Sequence, residues 1–258
     1  MFPEFFDIHS HLNFPQFDED RDKITEKMAK DGVWTICVGA DKKTSRESVE
    51  LAESAEDNGI FAAVGLHPTE EGEDFDAEYY RGLARRPKTV AIGECGLDMF
   101  RRGESDLERQ KSVFEKQIEL AIETGKPLMV HCRAAHREAL NILSSYAGRG
   151  LAGDIHFFSG GWEEARAYLD LGFSISFAGP ITFTSEYDEV IKKAPMDRIM
   201  ADTDSPFAAP APFRGRRNEP LFVKEIVKKI ALVKGVSPKD AAEATTRNAL
   251  KMFLGKSD

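Results

Sequence analysis

Residues 89–133 read TVAIGECGLDMFRRGESDLERQKSVFEKQIELAIETGKPLMVHCR, and this stretch decides the fold class. Its first ten residues form a short apolar run, with Glu94 late in it. Such a run, bounded by polar residues and rich in Val and Ile, reads as a strand buried on both faces. Glu104-Ser105-Asp106-Leu107 then gives an acidic start to a long helical pattern that reaches about Thr124. Gly125 and Pro127 stop it, the expected C-terminal punctuation. Residues 127–133 form a second apolar run. Strand, crossover helix and strand make a parallel unit.

The same alternation extends in both directions. Further apolar runs cover residues 5–11, 33–40, 60–68, 151–160, 173–180 and 199–206. Helical patterns fill the gaps: one from near Thr44 to a stop at Asp57-Asn58-Gly59, then 162–171 and 185–193. Two more, near 220–234 and 238–254, are separated by Gly235-Val236-Ser237. Eight strand–helix units in a chain of 258 residues predict an α/β fold, a (β/α)8 TIM barrel, as a single domain over 1–258. No linker, repeat or composition break marks a second domain.

The composition, 41% hydrophobic and 31% charged, is that of a soluble globular protein. A net charge of −9 argues against a sequence-independent nucleic-acid coat, which needs a broad basic surface. It leaves room for a local cationic mouth over an acidic, metal-binding site. MFPEFFDIHSHLNF has neither the basic start nor the long apolar core of a signal peptide, and no stretch suits a membrane helix. Cys37, Cys95 and Cys132 have no framework spacing, which predicts reduced thiols and a cytoplasmic setting. The oligomeric state is left open, with a monomer compatible.

The polar residues inside the apolar runs carry the chemistry. His9 and His11 end the first run, His67 the third, and His131 lies in the fifth. Glu94 lies in the fourth, His156 in the sixth, and Asp202 and Asp204 in the eighth. In a barrel of this kind the C-terminal ends of the strands converge on one pocket. Asp7, His9 and His11 are spaced by two, so strict strand alternation puts all three on the inner face, with Ile8 and Ser10 toward the helices. Asp7 then either orients an imidazole or joins the ligands. Of six histidines, five fall in apolar runs and only His136 on a helix. A lone buried His is usually a hydrogen-bonded core residue. Burying five together with Glu94 and two Asp without a common purpose would be costly, and a metal centre compensates. Four imidazoles and two carboxylates exceed one tetrahedral ion and suit two bridged ions. The mixed donors favour Zn, Mn, Co or Fe over an all-oxygen magnesium site.

These motifs resemble those of the TatD family, metal-dependent deoxyribonucleases among the amidohydrolase-like barrels. The resemblance rests on Asp7-Ile-His9-Ser-His11-Leu12, Val64-Gly-Leu-His67-Pro68, Ala91-Ile-Gly-Glu94-Cys-Gly-Leu-Asp98, Val130-His131-Cys-Arg133, His156-Phe-Phe-Ser-Gly160, Asp202-Thr-Asp204-Ser-Pro206 and Arg214-Gly-Arg-Arg-Asn218-Glu-Pro220, in family order. It implies a (β/α)8 barrel, divalent metals (Mg, Mn or Zn) and DNA as substrate, cut as an exonuclease or endonuclease. It implies His9, His11, Glu94, His131, His156 and Asp204 as metal ligands, with Glu94 bridging two ions. The chain departs from the pattern at Thr69, Ala134, Met99-Phe100 and Asp202, none of them an implied ligand.

In the mechanism this suggests, two ions activate a water and Asp204 takes its proton. Glu94 and Asp204 are the catalytic residues, with Asp7 and Asp202 behind the ligands. His67 either donates to a phosphate oxygen or satisfies loop backbone before Pro68. Arg101, Arg133 and Arg217, in loops after three different strands, are the expected phosphate grip, and Phe100, Phe207 and Phe213 either stack on bases or pack loops. Asn218 and Glu219 are expected to fix the rim. The same residues admit an esterase, a lactonase or an aminoacyl-tRNA deacylase, or a non-catalytic binding barrel.

Overall fold

The computed structural model describes residues 2–55, 59–72 and 74–256. The expected helix stop at Asp57 and Asn58 lies outside them. Eight strands run in chain order: β1 Phe5–Ser10, β2 Val33–Val38, β3 Ile60–Val64, β4 Thr89–Asp98, β5 Leu128–Arg133, β6 Gly153–Ile155, β7 Ser174–Phe177 and β8 Ile199–Ala201. Each pairs in parallel with the next. A parallel bridge from Ser10 to Ser205 brings the two edges together, with amide bonds from His11 to Ser205 (2.7 Å) and from Asp204 to His9 (2.9 Å). The sheet is therefore a closed (β/α)8 barrel.

Outside it lie α1 Arg21–Lys30, α2 Lys42–Ser54, α3 Ala77–Ala84, the single turn α4 Met99–Arg102, α5 Leu107–Thr124, α6 His136–Ser145, α7 Trp162–Asp170, α8 Asp188–Lys193, α9 Val223–Lys234 and α10 Pro238–Leu254. The expected β4 matches residue for residue, and α5 ends at Gly125 in the left-handed region (φ 65°). The later strands are shorter than their apolar runs, because pairing stops where the chain turns inward to build the mouth.

Two apolar layers hold the barrel. One joins the outer strand faces to the helices. The other fills the lumen: Phe6, Ile8, Ile36, Val38, Ala63, Met129 and Met200 from five strands meet Ala249, Leu250 and Phe253 of α10, which closes the N-terminal end. At the opposite end two buried glutamines of α5, two turns apart on one face, act as substitute strand partners. Gln117 accepts from Leu66 N and donates to Leu66 O, both at 2.9 Å. Gln110 does the same for Asp98, at 2.8 and 3.2 Å. They pin the chain beside His67 and the end of the strand that carries Glu94.

Candidate metal centre

Glu94 lies where five imidazoles converge. Its Oε1 is 2.9 Å from His131 Nδ1, 2.8 Å from His156 Nε2 and 3.3 Å from His67 Nε2. Its Oε2 faces His9 Nε2 at 3.4 Å and His11 Nε2 at 3.7 Å. Asp204 Oδ1 approaches the same two nitrogens, at 3.9 and 3.5 Å. Among the described residues, three triplets have donor atoms within 4.8 Å of one another: His9–Glu94–His156, His9–His11–Asp204 and His67–Glu94–His131. The two oxygens of Glu94 thus face different imidazoles, an arrangement in which one carboxylate can serve two ions. The donors fit divalent ions. The Nε2 atoms of His9 and His11 are only 3.3 Å apart, each also facing carboxylate oxygens, and a cation among them would replace these crowded contacts with ligand bonds.

Local backbone makes this convergence possible. A Cβ on Gly96 would lie 2.0 Å from the carbonyl oxygen of His131, so only glycine lets β4 and β5 approach there. Four non-glycine residues among those described have positive φ: Ala134, Phe157, Asp204 and Ala208, at 47–55°. All four follow β5, β6 or β8 at the mouth. Each such conformation costs on the order of 1–3 kcal/mol, held in place by the packed barrel beneath.

Charge is balanced inside the cluster. Burial pushes the Glu94 carboxyl up, but His67, His156 and His9 outweigh it and hold it well below the usual range. Burial likewise raises Asp204, and the bond and charge of His11 return it below its ordinary value. Burial depresses His156, yet the Glu94 charge lifts it to about 9. His9 is lowered to about 3, mainly by burial, with His156 adding to the effect. Without metal, protons on some imidazoles offset the carboxylates.

His67 is drawn inward. Thr69 N–H donates to its Nδ1 at 3.2 Å, leaving the Nε2 proton for Glu94. Asp98 is a residue that sequence reasoning left without a role. Fully buried, it faces His131 Nε2 at 3.0 Å while Glu94 takes Nδ1, so it orients that ring as carboxylates behind metal-bound histidines do. The signal was available: a carboxylate closing the strand beside the one that bears His131.

Asp7 departs from expectation. The β1–β2 register shifts between Asp7 and Ser10, and strict alternation fails there. Ile8 packs inside the lumen, while Asp7 turns from the imidazoles. It accepts from the amides of His9 (3.3 Å) and Thr203 (2.8 Å) and from the Thr203 hydroxyl (2.7 Å). Its role is to tie the ends of β1 and β8. Asp202 accepts from Phe157 N at 3.0 Å, holding the turn after His156. Ser176 Oγ lies 2.6 Å from Oδ2 of both Asp154 and Asp202. One hydroxyl has one proton, so one of these acids carries its own; burial pushes them up to about 7 and about 6.

Above the centre opens a cavity of about 730 Å³, lined by His11, Glu94, His131, His156 and Asp204 and also by Arg101, Arg133, Tyr187 and Phe207. Arg133 lies 4.1 Å over the Phe100 ring. Neither Arg101 nor Arg133 has a carboxylate partner among the described residues. Arg217 does not belong to this grip. It pairs bidentately with Asp20, at 2.8 and 2.6 Å, because barrel closure sets the loop after β8 beside the loop after β1. Arg102 is likewise bound to Glu71 and the Thr69 carbonyl. Phe213 stacks on Phe222 at 3.9 Å and packs its loop. Asn218 fixes the rim as expected, donating to Thr203 O (2.7 Å) and Phe207 O (2.6 Å). Cys37, Cys95 and Cys132 are buried and unpaired. No described helix is long and apolar enough to cross a membrane.

Known proteins resemble this chain over nearly its whole length. The family model described as TatD related DNase matches residues 6–254. The chain is 38% identical over 253 residues to an uncharacterized metal-dependent hydrolase, YabD, of Bacillus subtilis, covering 96% of this chain and 98% of that protein. It is 35% identical over 258 residues to the 3'-5' ssDNA/RNA exonuclease TatD of Erwinia tasmaniensis, covering 96% and 99%. The crystal structure of YJJV, a TatD homologue from Escherichia coli K12, superposes with a TM-score of 0.90 at 28% identity, covering 98% and 99%. The chain belongs to the TatD family of metal-dependent hydrolases.

Proposed function

We propose that this protein hydrolyses phosphodiester bonds of DNA with the help of two divalent ions. The observation that carries the reading is a single buried carboxylate, Glu94, among imidazoles on both its oxygens, beneath a cavity whose two arginines have no carboxylate partner among the described residues. His9, His11 and Asp204 would hold one ion, and His131 and His156 the other, with Glu94 common to both. Bound there, Mg, Mn or Zn would lower the pKa of water and polarise phosphate oxygens, and the imidazole-rich set suits transition metals best.

The protein's own groups supply the rest. Asp204, kept ionised by His11, is placed at the cavity wall to accept the proton of the attacking water. Arg101 and Arg133 neutralise the phosphate and orient it. His67, whose Nε2 faces Glu94 in the metal-free fold, would turn that proton to a phosphate oxygen once the ions hold Glu94. Asp98 keeps the His131 ring in register. The three unpaired thiols suit a reducing compartment, so the cytoplasm is the proposed setting.

The test is digestion of labelled single- and double-stranded DNA, and of RNA, across Mg, Mn, Co and Zn. DNA hydrolysis is expected with at least one metal. Glu94→Ala and Asp204→Ala should each lower the rate by about 10³-fold or more, the scale of several kcal/mol from metal catalysis. Full activity in either variant would sink the site assignment. Failure on every nucleic acid would move the reading to a smaller ester.

A further inference from the structure

Of the phenylalanines that line the cavity, Phe14, Phe157 and Phe207, only Phe207 is exposed. It is 47% exposed and lines the cavity with Asp204 and His11. An aromatic ring bared beside charged metal ligands gains nothing from burial. Its backbone, in contrast, is tightly held. Phe207 N–H donates to Asp204 O at 2.9 Å, and the buried Asn218 donates to Phe207 O at 2.6 Å. The ring is edge-to-face with His11 at 6.1 Å and with Phe14 at 6.4 Å, while Phe14 itself stacks on His11 at 4.4 Å. Phe207 is thus the exposed end of an aromatic cluster rooted on a metal ligand. Phe213, whose ring is stacked on Phe222, provides the internal contrast.

We propose that Phe207 is the stacking platform for the nucleobase adjacent to the scissile phosphate. This rests on the nucleic-acid reading above. A held backbone and an exposed aromatic ring meet the requirement for sequence-tolerant base binding, since every base has a face to stack. Fixing the base there sets the attached phosphate over Asp204 and Glu94. Phe207 is therefore a positioning residue, one that recognises a base without discriminating among bases.

The experiment is a two-by-two comparison. Parent protein and Phe207→Ala are each given an oligodeoxynucleotide with a normal base at the cleaved end, and the same oligonucleotide with an abasic site there. The parent should cleave the base-bearing substrate with a kcat/KM about 10-fold higher than the abasic one, the scale of one stacking contact. Phe207→Ala should lose that ratio, falling on the base-bearing substrate while matching the parent on the abasic one. Phe207→Trp should restore it. Metal stoichiometry and Tm, followed in parallel, should remain those of the parent. An equal drop on both substrates, or a ratio that survives in Phe207→Ala, overturns the proposal and leaves the nuclease reading standing. Failure of the parent on both substrates overturns the two together.

Discussion

The two ends of one barrel obey opposite rules. At the N-terminal end the lumen is dry and apolar: Phe6, Ile8, Ile36, Met129 and Met200 lie under Leu250 and Phe253. At the C-terminal end, in the last residues of the strands or just beyond them, lie five imidazoles and two carboxylates, with strained backbone at four positions. A few residues of β1 separate Phe6 from His11. One end stores the stability and the other uses it, the division expected of barrels of this kind. The contrast teaches that the strain and buried charge of the mouth persist because the floor holds the strands fixed.

The contrast can be broken from below. Phe6→Ala should cost about 3–5 kcal/mol, the usual penalty for a buried Phe, measured by denaturant unfolding. The metal stoichiometry of the molecules that remain folded should be unchanged. Glu94→Ala should reverse the pattern, with activity lost and a smaller change in metal-free stability. A Phe6→Ala protein that unfolds no more easily than its parent would show that the lumen does not carry the load.

A subtler effect comes from pH. His156 titrates at about 9 in the metal-free fold, above its ordinary value near 6.5. Its contribution to metal-free stability is therefore fully present below about pH 6.5 and is lost as pH rises through about 9. Metal needs the neutral ring. The rise in Tm on adding Mn²⁺ should thus grow between pH 6.5 and 9, by about 2–4 °C per unit for one displaced proton. A thermal shift that shrinks over this range would contradict the ligand role of His156.

The smallest effect is expected one layer down. Asp154, pushed up to about 7 by burial, pays a deprotonation cost that grows from about pH 4 and is complete above about 7. Asp154→Asn supplies a permanent donor toward Ser176, so at pH 8 the variant should match or exceed the parent within about 1 kcal/mol. Asp154→Ala, which leaves polar neighbours unpaired, should be less stable by about 1–3 kcal/mol. If Asn is as harmful as Ala, the shared-proton reading of the pair is wrong.

Much of this was legible in the sequence, and the misses have physical causes. Periodicity and punctuation located all eight strands, and the placement of His9, His11, Glu94, His131, His156 and Asp204 in apolar runs brought them to one point once the barrel closed. Asp7 was misplaced because a strict two-residue period cannot register the shift in β1. Arg217 was misassigned because its partner, Asp20, is remote in sequence and becomes a neighbour only through closure. Asp98 closes the Glu94 motif, but its pairing with His131 depends on the β4–β5 register. Phe207 and Phe213 both stand on loops, where periodicity carries no information about which ring is bared and which packs.

The seam of the barrel has a consequence for biosynthesis. Asp7 and Thr203, bonded across it, are 196 residues apart in the chain. During synthesis β1 keeps an open edge until β8 has left the ribosome. Glu94, His131 and His156, the proposed ligands of one ion, come from the middle of the chain and are made early. His9 and His11 wait for Asp204, so under the proposed two-ion reading the second ligand set is assembled only after the seam shuts, and loading of the full complement of metal would report that the barrel has closed.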